Sequence, residues 1–123
     1  MTNVLIVDDS VAIRMVLQRA LRRADLPLDK VFEAGDGCAA IEILKNEKVG
    51  VVLSDINMPN MDGLQLLAAL KADGTSAEVP VVMISTESTP SKVMEAVRLG
   101  AKGFIKKPFA PDEIRDKLAA FFV

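Results

Sequence analysis

The chain has 123 residues, the length of one domain with a single core, because folded domains typically run to about 100 to 150 residues. Half of its residues are hydrophobic and 26% are charged, which excludes intrinsic disorder as the main state. Its formal net charge of −2 lacks the basic surplus that binding to a nucleic acid backbone usually requires. We therefore expect a single domain over residues 1–123 that does not bind nucleic acid directly.

No apolar run approaches the ~20 residues of a membrane helix, and the N-terminus lacks a cationic signal-peptide start. We therefore expect a cytoplasmic protein without membrane contact.

The sequence also excludes several kinds of chemistry. There is no histidine, and Cys38 is the only cysteine. An intrachain disulfide, a Cys/His zinc site and a phosphohistidine on this chain are therefore excluded. Any chemistry must use carboxylates, hydroxyls and amines.

Short apolar segments alternate with amphipathic segments along the chain, a pattern typical of alternating strands and helices. The predicted strands are residues 3–7, 30–34, 49–54, 79–85 and 103–106. The predicted helices are residues 10–24, 37–47, 62–72 and 89–100, with a fifth that begins near residue 111. Helical spacing assigns Val16 to the apolar face of the first helix and Ala68 to that of the third.

Five strand–helix units in succession predict an α/β fold. Strands that are apolar on both faces indicate a parallel sheet with helices on both sides, joined by right-handed crossovers. A closed barrel needs eight such units, so five leave an open, doubly wound sheet. In such sheets ligands bind beyond the carboxyl ends of the strands, which is where we look for a site.

Polar side chains follow the predicted strands at these carboxyl ends. Asp8 and Asp9 follow the first strand, Asp55 follows the third, Ser85 ends the fourth and Lys107 follows the fifth. Each alone has an ordinary structural explanation, as a helix cap, a turn residue, a strand-end hydroxyl or a solvated charge. If the first and third strands are neighbours, however, three carboxylates share one cleft, where their repulsion raises pKa values unless a cation joins them. Mg²⁺ is the simplest such cation, since it needs neither histidine nor cysteine.

These motifs resemble the receiver domain of bacterial two-component response regulators. The residues that carry the resemblance are Asp8-Asp9, the segment 55–63, Ser85-Thr86-Glu87 and Lys107-Pro108-Phe109. The resemblance covers the whole chain, with the motifs in the order and at the spacing of a stand-alone receiver of the chemotaxis CheY type. It implies the flavodoxin-like, CheY-like sheet order 2-1-3-4-5 with five helices.

The resemblance also implies a phosphoacceptor and a metal site. Asp55 matches the carboxylate that takes a phosphoryl group from phosphohistidine on a separate protein, either a histidine kinase or a histidine phosphotransfer protein. Asp8, Asp9 and Asp55, together with the backbone carbonyl of Asn57, match the family's Mg²⁺ ligands. Mg²⁺ is therefore the implied cofactor.

Further roles around the phosphoryl group follow from the same resemblance. Ser85 and Lys107 match the hydroxyl and the amine that contact phosphoryl oxygens, and the Lys107-Pro108 peptide bond matches one that is cis in the family. Asn57 and Glu87 match positions that tune the access of hydrolytic water, and hence the lifetime of the phosphorylated state.

The expected output surface is formed by the fourth helix, the fifth strand and the fifth helix. Phe104 matches the family's switch aromatic, and strand alternation places it on the face opposite Ile105. Val93, Lys106 and Lys117 complete this surface, for which the expected partner is a downstream protein such as the flagellar motor switch. A phosphorelay intermediate is the alternative role, since chemotaxis members often carry an apolar residue where Lys106 stands.

Two other classes of protein share parts of this pattern. Mg²⁺-dependent phosphohydrolases with an aspartyl nucleophile typically carry a second Asp two residues after the first, a position held here by Asn57. Flavodoxin-like flavin carriers share the fold, but carboxylates at the phosphate end and the lack of Trp and Tyr argue against one. We therefore expect a signalling protein that assists only its own phosphorylation and dephosphorylation, not a turnover enzyme.

Overall fold

A computed structural model describes residues 1–73, 78–86 and 89–122. The strands are β1 (Thr2–Val7), β2 (Leu28–Ala34), β3 (Val51–Ser54), β4 (Val81–Ser85) and β5 (Gly103–Lys106). The helices are α1 (Val11–Arg23), α2 (Gly37–Asn46), α3 (Gly63–Ala72), α4 (Pro90–Arg98) and α5 (Pro111–Leu118), followed by a 3-10 turn at Ala119–Phe121. Among these helices, none combines the length and the apolar character needed to cross a membrane.

All five strands are parallel and their order is β2-β1-β3-β4-β5, which confirms the predicted α/β fold and its sheet order. β1 lies between β2 and β3, with Val7 opposite Ala34 on one side and Ser54 on the other. The residues that follow β1 and β3 therefore emerge side by side at the carboxyl edge of the sheet.

The core has two halves, one on each face of the sheet. Leu5 and Val7 of β1 face one half, which α2, α3 and α4 cover, whereas Val4 and Ile6 face the other half, which α1 and α5 cover. Val4–Val7 are completely buried. This burial on both faces explains why the strand reads as an uninterrupted apolar run.

Side-chain caps fix where three helices begin at the carboxyl edge of the sheet. The Ser10 hydroxyl accepts a hydrogen bond from the backbone of Ile13 at 3.2 Å, and the Asp36 carboxylate caps α2. Asp62 and Gln65 form a reciprocal capping box at the start of α3, with distances of 2.8 and 3.0 Å. The loops after β1, β2 and β3 thus end at defined positions.

Two predictions about the core were wrong. Val16 in α1 is 48% exposed, because it borders a surface groove instead of the sheet. Ala68 in α3 is exposed, and the buried face of that helix is formed by the leucines 64, 66, 67 and 70. Periodicity located both helices correctly but did not fix how wide their buried faces are.

Gly63, the first residue of α3, lies against the strand end that carries Asp55. A Cβ atom here would press on the carbonyl oxygen of Asp55 and lie 2.8 Å from the Met83 methyl group. We expect Gly63→Ala to lower the free energy of unfolding by roughly 1 to 3 kcal/mol, measured by urea denaturation. Gly103→Ala is the control, because its Cβ would meet Val82 at an ordinary 3.5 Å. Equal stability of the two variants would show that a Cβ atom at Gly63 makes no unfavourable contact with Asp55 or Met83.

Candidate acidic phosphoacceptor site

Three carboxylates meet at the carboxyl edge of the sheet. Asp8 directly follows β1 and is buried, the next residue Asp9 is exposed, and Asp55 after β3 is partly buried. One carboxylate oxygen from each lies within 4.8 Å of the others. The sequence prediction that these three side chains converge is therefore met by the geometry.

Lys107 reaches this carboxylate cluster from β5. Its peptide bond to Pro108 is cis, as the sequence resemblance implied. The Lys107 Nζ lies 2.7 Å from Asp8 Oδ2 and 3.7 Å from Asp55 Oδ2, and the three side chains are only 11%, 2% and 13% exposed. The backbone N–H of Lys107 donates to the Ser85 carbonyl at 2.9 Å, which ties the turn to the end of β4.

The electrostatics of the cluster leave negative charge uncompensated. Burial raises the pKa of Asp55 above its ordinary value, the Lys107 ammonium opposes this, and the carboxylates of Asp8 and Asp9 add to it. The Ile56 N–H, which donates to Asp55 Oδ1 at 2.8 Å, favours the charged form but does not outweigh burial. Among the described residues, the carboxylates of Asp8, Asp9 and Asp55 face the Lys107 ammonium, so a divalent cation with a preference for oxygen ligands, such as Mg²⁺, fits this donor set.

Arg14 of α1 holds the acidic segment in place, a role that the sequence analysis missed. Its guanidinium donates Nη1–H to the backbone carbonyl of Asp8, and its Nε pairs with Glu33 Oε1 at 2.9 Å. The backbone N–H of Ser10 donates to Asp8 Oδ1 at 2.9 Å. An arginine between Ile13 and Leu17, on the apolar side of the helix, was the available signal in the sequence.

The remaining residues predicted for the site fall into three groups. Ser85 is fully buried at the end of β4, and Thr86 after it is exposed. Asn57 is exposed in the loop after β3. Glu87 lies outside the described residues, so its predicted role stays a prediction.

The predicted output residues lie on β5, α4 and α5. Phe104 is half-buried on the α4 side of the sheet, opposite Ile105, and its carbonyl accepts a hydrogen bond from Lys117 Nζ at 2.9 Å. Lys106 is exposed, but Val93 is half-buried.

The exposed apolar surface of α4 includes two residues that were not predicted. Met94 is 72% exposed and Val97 is 62% exposed, and with Val93 they line a groove of about 670 Å³. Met94 and Val97 are three positions apart, which places them on one helix face, and this spacing is readable in the sequence.

A second groove, of about 330 Å³, lies directly beside the acidic cluster. Its walls come from α1 and from the segment after β5, and Lys107 belongs to both the groove and the cluster. The residues that line it are Ile13, Val16, Thr86, Lys107, Pro108 and Phe109. A smaller groove adjoins it at Val16 and Phe109 and is bordered by Arg19 and Arg23.

Comparison with known proteins places this geometry in one family. The model of the response regulator receiver domain matches residues 4–119. A chemotaxis protein CheY homolog of Campylobacter jejuni is 38% identical over 117 residues, covering 94% of this chain and 88% of that protein. The structure of Vibrio cholerae chemotaxis protein CheY4 superposes with a TM-score of 0.88 at 33% identity, covering 98% of both chains. The N-terminal domain of a Wolinella succinogenes protein gives 0.85 at 30% identity, covering 98% of this chain and 94% of that one.

The match spans nearly the whole chain, and the sheet order agrees with it. On this evidence, the chain belongs to the response regulator receiver domain family.

Proposed function

We propose that this protein is a phosphoacceptor switch in which Asp55 takes a phosphoryl group from phosphohistidine in a Mg²⁺-dependent reaction. Receiver domains take phosphate from histidine kinases and act on downstream targets. The observation that carries the proposal is the gathering of Asp8, Asp9 and Asp55 around the Lys107 ammonium at the carboxyl edge of the sheet. The proposal includes residues 1–123 as one receiver domain in the cytoplasm, as expected from the sequence.

The residues of the cluster divide the work of phosphoryl transfer. A carboxylate oxygen of Asp55 attacks phosphorus, and the bond from phosphorus to the donor imidazole nitrogen breaks. The Lys107 ammonium and the Ser85 hydroxyl stabilise the negative charge on the transferred oxygens. Mg²⁺, held by the three carboxylates and the Asn57 carbonyl, would supply further positive charge for these oxygens when bound.

The groove beside the cluster supports a separate protein as the phosphodonor. The chain has no histidine, so the phosphohistidine must be brought to Asp55 by a partner. Val16 and Phe109 offer that partner apolar surface next to Lys107, and Arg19 and Arg23 add positive charge at the far end. A donor helix with apolar and acidic residues has the matching chemistry.

The relatives support a chemotaxis-type role over a phosphorelay role. Both the Campylobacter jejuni and the Vibrio cholerae proteins are described as chemotaxis proteins, and this chain covers most of each. The exposed Met94 and Val97 on α4 supply an apolar surface for a downstream partner. Phosphorylation would change this surface through Ser85 and Phe104.

The switch is tested by Phe104→Ala. In the wild type, movement of Ser85 toward the phosphoryl group is expected to vacate space that Phe104 fills, and this repacking should reach α4. Phosphorylation by acetyl phosphate should therefore shift the methyl NMR signal of Met94 in the wild type, and several-fold less in the variant. The methyl of Met15, exposed on α1, is the internal control. A full shift at Met94 in the phosphorylated variant would show that the switch uses another element.

The lifetime of the phosphorylated state is tested at Asn57. The compact, exposed Asn57 side chain leaves room for a water molecule in line with the phosphoryl group. Asn57→Arg should therefore slow dephosphorylation several-fold, because the longer side chain would block the approach of this water. The loss of the phosphoryl group is followed by intact mass after the donor is removed. Asn46→Arg, an exposed asparagine at the end of α2, is the matched control. Unchanged or faster decay in Asn57→Arg would contradict the steric explanation.

The proposed function itself is tested by incubating the wild type with acetyl phosphate. With Mg²⁺ present the intact mass should increase by one phosphoryl group, and with a chelator it should not. No increase with Mg²⁺, or an equal increase without it, would contradict the proposal.

A further inference from the structure

The loop that follows Asp55 is joined to the N-terminus of α2 by contacts outside the acidic cluster. Asp36 uses both carboxylate oxygens: Oδ1 accepts from the backbone N–H of Ala39 at 2.8 Å, and Oδ2 accepts from the Asn60 side-chain amide at 2.8 Å. The backbone N–H of Gly37 donates to the Met61 carbonyl at 3.1 Å. One residue thus caps a helix and holds a loop 24 residues further along the chain.

The packing at this junction is close. A Cβ atom at Gly37 would lie only 2.6 to 2.9 Å from the Met61 side chain, so the helix start and the loop are in direct contact. Asn60 has a φ of 64°, in the left-handed region where asparagine is one of the few side chains tolerated. Asn60 therefore both makes the turn and supplies the donor that reaches Asp36.

Asp36 remains charged in this arrangement. The hydrogen bond from Ala39 lowers the pKa of its carboxyl group, and the amide of Asn60 lowers it further. A charged acceptor makes the bond to Asn60 stronger than a bond between neutral groups.

We propose that the Asp36–Asn60 pair is a positioning latch that orders the loop between Asp55 and Asp62, the loop that carries the Asn57 carbonyl proposed above as a metal ligand. The inference rests on the proposed function of the acidic cluster, but it concerns residues that touch neither metal nor phosphoryl group. A loop that is already ordered loses less freedom when the ion binds. Removal of the latch should therefore weaken Mg²⁺ binding by roughly three- to ten-fold, the worth of one hydrogen bond.

The test uses two variants that remove the latch and spare its neighbours. Asn60→Gly keeps a backbone that adopts the left-handed turn but loses the amide. Asp36→Ser keeps a hydroxyl cap for α2 but is too short to reach Asn60. The exchange Asp36→Asn with Asn60→Asp reverses donor and acceptor and should restore the bond. Asn46→Ala is the matched control, because it removes an exposed hydrogen bond of 2.9 Å that the Asn46 amide donates to the Glu42 carbonyl at the other end of α2.

Mg²⁺ affinity is measured by calorimetric titration with MgCl₂ alone, and thermal unfolding is measured without metal. We expect both single variants to bind Mg²⁺ roughly three- to ten-fold more weakly, and the exchanged pair and Asn46→Ala to bind it like the wild type. Wild-type affinity in Asn60→Gly and Asp36→Ser, even with a lowered melting temperature, would overturn the latch and leave the proposed function intact. Failure of the wild type to bind Mg²⁺ would overturn both.

Discussion

Asp55→Asn is expected to abolish phosphorylation and at the same time to stabilise the metal-free protein. The amide lacks the negative charge needed to attack phosphorus, and neither of the other two carboxylates can replace it: Asp8 is buried against Lys107, and Asp9 is exposed at the rim. The stabilisation follows from the raised pKa of Asp55, because a charged carboxylate at this position costs more in the folded protein than in the unfolded chain. We expect the variant to have a higher free energy of unfolding than the wild type at neutral pH.

The sign of the pH dependence provides a second check on Asp55→Asn. Well below the ordinary aspartate pKa of about 3.9, the carboxyl group is protonated in both the folded and the unfolded chain, so the variant should have no advantage there. As the pH rises, the wild type loses stability until Asp55 is ionised in the folded protein. Above that pH, the difference in the free energy of unfolding between the variant and the wild type stays constant. Urea denaturation across this pH range measures this difference. Undiminished phosphorylation of the variant, or a lower stability at neutral pH, would contradict the assignment.

Lys107→Met is expected to impair phosphorylation almost as severely, and to lower stability instead of raising it. Among the described residues, the Lys107 ammonium is the side-chain cation placed between Asp8 and Asp55. Removal of one group that stabilises negative charge in a transition state typically costs about 100-fold in rate. The buried Asp8 carboxylate would also lose its ion-pair partner at 2.7 Å, which should cost roughly 3 kcal/mol of folding stability.

The neighbouring lysine provides the control for Lys107→Met. Lys106 belongs to the same strand end but is exposed, so Lys106→Met should change neither the phosphorylation rate nor the stability appreciably. Initial rates with acetyl phosphate at saturating Mg²⁺, followed by intact mass, measure the effect. A Lys107→Met variant that is phosphorylated as fast as Lys106→Met would show that the ammonium is a structural ion pair only.

The convergence of the site could be predicted from the sequence because parallel strands deliver their carboxyl ends to one edge. That rule places Asp8, Asp55 and Lys107 at a single rim once the strands are recognised. The order of the strands came from the resemblance to receiver domains, and it makes β1 and β3 neighbours. Strand alternation also placed Phe104 and Ile105 on opposite faces correctly.

The contacts that hold the site could not be predicted in this way, because they join residues far apart in the chain. Arg14 pairs with Glu33 across 19 positions, and Asp36 pairs with Asn60 across 24. Hydrophobic periodicity carries no information about such pairs. It also misplaced Val16, because an apolar residue that lines a surface groove has the same spacing as one in the core.

The most direct test of the central claim is to locate the phosphoryl group. The wild type is phosphorylated with acetyl phosphate and Mg²⁺, the acyl phosphate is reduced with borohydride, and the peptides are sequenced by mass spectrometry. We predict that the modification occurs at Asp55 and that it is absent when Mg²⁺ is chelated. Reduction at Asp8 or Asp9, or an intact phosphate ester on Ser85, with Asp55 unchanged, would contradict the account.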